Sequence, residues 1–83
     1  MMVLPIVHLN GTGREGLLSQ TCNVRGKVRE AMEALAAATP HMRDYYPAPE
    51  RWEPAMAQHH RRMAALQALL DEFTEQAEAI SDL

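Results

Sequence analysis

From Trp52 to Ile80 the seam residues Trp52, Met56, His59, Met63, Leu66, Leu70, Phe73, Ala77 and Ile80 step by four and three in turn. That spacing is the seam of a helix lying along a partner helix, and it leaves little else for the second half of the chain to become. Pro54 is tolerated only in a first turn, so the helix must begin at about Glu50 to Pro54. The partner is supplied upstream. No proline interrupts Gly13 to Ala38, and Leu17, Thr21, Val24, Val28, Ala31 and Leu35 repeat the same steps. Thr12 with Glu15 matches the capping box that satisfies the first free N–H groups of a helix.

The remaining segments punctuate this pair. Met1 to Leu9 is apolar, carries Pro5 and finds no second strand-like segment, so it reads as an extended arm that ends in the turn Asn10-Gly11-Thr12. Between Thr39 and Pro49, three prolines and the run His41-Met42-Arg43-Asp44-Tyr45-Tyr46 break both periodicities, which marks a structured connector. The expected architecture is all-α: one domain over residues 1–83, an antiparallel two-helix coiled-coil hairpin with a short N-terminal arm. Its parts are arm and turn 1–12, helix one 13–38, connector 39–50 and helix two 51–82. Helices of these lengths run roughly 40 Å, and a lone hairpin wets half of each. Leu18, Met32, Leu69 and the arm residues Leu4, Ile6 and Val7 lie off the seam and need further cover, so the hairpin is expected to assemble into a helical oligomer.

Composition narrows the function. There is no apolar run of the 18 or so residues that a membrane span needs, and Met1 to Val7 lacks the basic start of a secretion signal. Cys22 is the only cysteine, which excludes an internal disulfide and suits a reducing, cytoplasmic compartment. Eight Lys and Arg against eleven Asp and Glu give a net charge of -3, which argues against a protein that coats DNA.

Locally the charge is sorted. If residues 38 and 51 face each other across the connector, Arg25 falls beside Ala64, Lys27 beside Arg62 and Val28 beside Arg61. Arg25, Lys27, His60 and Arg62 then flank the seam at one level, with Arg29 and Arg61 just outside, as a basic belt around the middle of the hairpin. Asp71, Glu72, Glu75, Glu78 and Asp82 fall at the far end, near Arg14 and the arm. Such a belt is either a solvated face paired with Glu30, Glu33 or a neighbouring subunit, or an anion site that symmetry duplicates; four cations without an intervening carboxylate favour the second.

Other chemistry is thin. His59 and His60 are adjacent, point about 100° apart on a helix, and lack a ligand at i+3 or i+4, so no metal is expected; His59 is expected half-buried in the seam. Cys22 has no group to orient a base, so no catalytic residue is assigned and no cofactor is implied. The turn Asn10-Gly11-Thr12-Gly13 is too short for a phosphate loop, yet a helix start beside Asn10 and Thr12 is able to hold an anion or a base edge. Tyr45 and Tyr46 read as packing anchors for the connector rather than a stacking platform.

The segment His8-Leu9-Asn10-Gly11-Thr12, an uninterrupted helix, then Arg43-Asp44-Tyr45-Tyr46-Pro47 and a second long helix resembles the helical-hairpin domain of the phage anti-CBASS and anti-Thoeris signal sponges over almost the whole chain. The resemblance implies an inert protein, not an enzyme, whose hexamers sequester cyclic di- or trinucleotides or glycocyclic ADP-ribose in the host cytoplasm. It also implies ligand contacts at Asn10 and Thr12, at Arg25 or Lys27, and at Arg61 or Arg62, with His60 beside them. The family's dinucleotide pocket stacks a base on an aromatic ring near the turn, whereas residues 1–44 hold no aromatic; His8 or Leu9 substitutes, or only the inter-subunit Arg site remains. Two rival readings fit the same helices. One is a small helical adaptor or inhibitor of another protein, which leaves the belt without a role. The other is an RNA-binding bundle, which the five carboxylates oppose.

Overall fold

The computed structural model describes residues 2–83. The uninterrupted 3.6-residue periodicity yields two helices, α1 over Arg14–Ala37 and α2 over Trp52–Ser81, packed antiparallel along their seams. Two single 3-10 turns, Met42–Tyr45 and Pro49–Arg51, shape the connector, and no strand forms among the described residues. Pro49 opens the second turn and Pro54 sits in the first turn of α2, the places where a missing N–H costs nothing. The molecule is a rod of 62 × 22 × 17 Å. Its radius of gyration is 18.4 Å, where a compact chain of this length would have about 12 Å.

The seam of α2 is as the spacing predicts: every position from Trp52 to Ile80 in that series is buried or half-buried, and Ile80 is the most buried side chain of all, 1% exposed. In α1 the frame differs. Leu17 is half-buried and Thr21, Val28 and Leu35 face inward as the spacing predicts, but Leu18 is half-buried as well, and the half-buried positions between Thr21 and Leu35 are Arg25 and Met32 rather than Val24 and Ala31, which are exposed. Met32 offers more apolar surface than Ala31, and Arg25 is tolerated in the seam because its methylene stem packs while its head reaches out. Leu18 and Met32 are therefore seam residues and not surplus. Leu69 does remain in part exposed, at 38%, on the outer face of α2.

Register is where the helices depart most from expectation. The Arg25 Nε–H donates to Thr74 Oγ1 at 3.1 Å, and Thr39 Oγ1 lies 3.1 Å from His59 Nε2. Both pairs place the partner about nine or ten residues further along α2 than Ala64 or Glu50, the positions expected to face Arg25 and Thr39. The reason is the connector. It does not simply bridge two helix ends but folds back over the first turns of α2, where the Tyr45 ring meets Trp52 edge-on with centroids 5.7 Å apart. Those first turns project beyond the end of α1, so α1 pairs with the remainder.

The start of α1 also differs in detail. Gly13 is the N-cap, its carbonyl accepting from Leu17 N–H at 3.0 Å, and no side chain caps the helix. The Thr12–Glu15 capping box does not form because the helix begins one residue later than that box requires; Glu15 still lies in the first turn, where its charge suits the helix dipole. At the other end of the rod's long axis, α1 ends in a well-satisfied cap. Ala38 N–H donates to the Ala34 and Leu35 carbonyls, and Thr39 donates to Ala36 through both N–H and Oγ1–H.

The arm lies back across the open end of the hairpin, with Leu4, Pro5 and Ile6 facing Thr12 and Leu17 of the α1 side, and Met2 and Val3 beside Glu72, Glu75 and Gln76 of α2. Three of the five buried side chains, Thr21, Ala77 and Ile80, sit toward this arm-covered end, and a fourth, His59, sits under the connector. Two bare helices bury little between them.

Gly26 lies on the exposed face of α1, and a Cβ there would meet nothing within 4 Å. Gly26→Ala should raise stability by about 0.5–1 kcal/mol, seen as a higher thermal midpoint by circular dichroism. A lowered midpoint would mean that this face is covered by another molecule.

Candidate functional site

The residues expected to meet a ligand fall in three places along the rod. Asn10 and Thr12 are at the open end, both exposed. The turn is closed by Gly11 N–H donating to the His8 carbonyl at 3.2 Å, and the His8 ring folds over Gly11 so closely that a Cβ there would lie 2.6 Å from Nε2. Thr12 lines an open groove of about 690 Å³ with Leu4, Pro5, Ile6, His8 and Leu17, which is apolar apart from His8 and Thr12; Asn10 does not line it.

Arg25 and Lys27 are in the α1 half-turns that face Asp71 to Thr74. Arg25 is half-buried and its Nε–H is taken by Thr74, whose hydroxyl in turn donates to the Leu70 carbonyl at 2.8 Å. Lys27 pairs with Glu30 at 3.3 Å on the exposed surface, the sole ion pair among the described residues. Exposed pairs of this i,i+3 kind contribute little to stability.

His60, Arg61 and Arg62 lie near the connector, level with the last turn of α1 and about 15 Å along the axis from Arg25 and Lys27. The continuous mid-hairpin belt is therefore not formed within one chain. The register that would have aligned its two halves is displaced by the connector, and Arg25 and Lys27 instead share their level with the α2 carboxylates.

What the displaced register creates is a cleft at the closed end, about 490 Å³, between the last turn of α1, the connector and α2. Arg62 and Gln58 come to it from α2, and His41, Arg43, Asp44 and Tyr45 from the connector. The walls are fixed by two small networks. Arg43 N–H donates to His41 Nδ1 at 3.1 Å, capping the 3-10 turn. Because Thr39 Oγ1–H donates to Ala36 at 2.6 Å, its oxygen must accept from His59, which sets the His59 ring as the Nε2–H tautomer. His59, 7% exposed, is thus a structural bridge from α2 to the end of α1.

Nothing in the sequence marks His41, Arg43 and Asp44 as ligand residues. The only signal was the dense polar run between the prolines, which marked the connector as structured without showing that it folds onto α2. Of the two tyrosines, Tyr45 packs as expected, whereas Tyr46 is mostly exposed and anchors nothing.

No three His, Cys, Asp or Glu side chains gather as a metal site would require among the described residues, and no described helix is long and apolar enough to cross a membrane. Cys22 is exposed, beside Leu18, Arg25 and Ala77 on a shallow face. Compared with known proteins, the chain matches no family model, no curated protein and no solved structure.

Proposed function

We propose that the chain is a non-catalytic binding protein that sequesters a phosphate-bearing nucleotide signal, of the cyclic oligonucleotide or glycocyclic ADP-ribose class implied by its resemblance to the phage sponges, and that it does so as a homo-oligomer in the host cytoplasm. The observation that carries this reading is the pair of guanidinium groups, Arg43 and Arg62, that line one cleft at the closed end. Both are exposed and neither is paired with a carboxylate, which is the state in which charge-assisted bonds to phosphate are available. Assembly is supported by exposed surface: 6231 Å² for a 9.3 kDa chain, against about 5,000 Å² for a compact monomer of this mass.

One observation favours the adaptor reading instead. Val3, Ile6 and Leu9 are 78%, 81% and 98% exposed, apolar side chains that a partner protein would cover as well as a second copy.

Thermal denaturation in the presence of cyclic di- and trinucleotides separates the two. A sponge is stabilised by about 2.7 kcal/mol at a hundredfold excess over Kd, roughly a 10–20 °C rise for a domain of this size, and light scattering should show several copies. An unchanged midpoint with every nucleotide tried would remove the sponge reading in favour of the adaptor.

A further inference from the structure

We infer that the closed-end cleft is a nucleotide phosphate site complete within one chain, in which Arg43 and Arg62 clamp the phosphate and Asp44 accepts a hydrogen bond from an amine or hydroxyl of the same ligand. This deepens the function proposed above and rests on it for the identity of the ligand, though not for the existence of the site.

Two guanidinium groups from different elements, the connector and α2, line one cleft of a volume in the usual range for small-molecule pockets. A carboxylate, Asp44, lines the same cleft, yet neither arginine pairs with it. The ordinary structural use of cations here would be to offset the free carbonyls at the end of α1. That use is already met: the Ala34, Leu35 and Ala36 carbonyls accept from Ala38 and Thr39. His59 is occupied by Thr39, so it contributes shape and not a free donor. His41 accepts at Nδ1, which leaves its Nε2–H as a further donor. The cleft thus gathers two unpaired guanidinium groups and an imidazole N–H beside a single charged acceptor, the Asp44 carboxylate.

That acceptor decides the class. Asp44 repels a bare phosphate but rewards a phosphate ester whose base or sugar brings an N–H or O–H alongside. The site accordingly prefers a nucleotide to an inorganic anion, and it needs no second chain.

The test is a titration of the full chain with a cyclic trinucleotide and, separately, inorganic pyrophosphate, followed by NMR of the arginine Nε–H groups and by calorimetry. Both probes should shift the Arg43 and Arg62 signals, and Arg43→Gln and Arg62→Gln should each weaken both at least tenfold. Asp44→Asn should weaken the trinucleotide and tighten pyrophosphate. Arg29→Gln, on the exposed face of α1, should change neither. Pyrophosphate bound at these arginines with no nucleotide bound would leave an anion site only, and would overturn both the nucleotide assignment of the cleft and the sponge. A trinucleotide bound equally well by both Gln variants would keep the sponge and overturn the cleft. If neither probe moves the two signals in the wild-type chain, the cleft is overturned whatever the variants do.

Discussion

Ile80→Ala should cost about 3–5 kcal/mol and leave the chain largely unfolded at physiological temperature. Removing a buried Ile side chain forfeits its transfer energy and leaves a cavity. Ile80 is the most buried of the described residues, at the level of Leu18 in the observed register, and the other buried ones among them are Thr21, Val28, His59 and Ala77. A chain with so few buried side chains has little reserve, since whole domains are stable by only about 5–15 kcal/mol. Urea denaturation followed by ellipticity gives the number. A loss below about 1 kcal/mol would mean that the open end of the hairpin is not held by this side chain.

His59→Ala should be the next most damaging change, at about 2–3 kcal/mol, because it removes a buried ring and the donor that ties α2 to Thr39. Two further variants divide that cost. His59→Leu restores most of the volume but not the N–H, and Thr39, which is exposed, then takes its bond from water. His59→Gln keeps a terminal N–H near the Nε2 position. Leu and Gln are therefore each expected to recover about half of the loss in thermal melts. Equal damage from all three would show that the ring's shape, and not its bond, is what the connector requires.

The fold class was legible because periodicity is a property of sequence. The α2 seam is legible to within a residue of its ends, as is the position of Pro54 in the first turn. The α1 frame was legible only in part. Thr21, Val28 and Leu35 belong to both possible frames, and the choice between them rests on whether Arg25 or Val24 is inside. A rule that excludes charge from the seam chooses wrongly there, because it counts the guanidinium and not the methylenes below it. Register was not legible at all. It depends on how the connector folds over Trp52 and the first turns of α2, which is a tertiary preference of Tyr45, Thr39 and His59 without a local signature. The candidate site inherited that error. Arg62 was singled out from its charge, but its neighbours could be named only once the register had moved Arg25 and Lys27 away and brought His41, Arg43 and Asp44 in.

The two polar rungs between the helices, Arg25 with Thr74 and Thr39 with His59, also bear on why there is one hairpin rather than several. Apolar residues repeating every seven positions resemble the teeth of a comb: slide one helix by a heptad and teeth still meet teeth. A slip of seven would leave Arg25 level with Gln67 or Ser81, and His59 level with Met32 or Tyr46. One slip buries the imidazole against a thioether, and the other carries it off the end of α1. Two polar rungs of different chemistry turn the comb into a scale with a single zero, so that in this rod the apolar teeth supply the grip while two hydrogen bonds tell the helices where to stop.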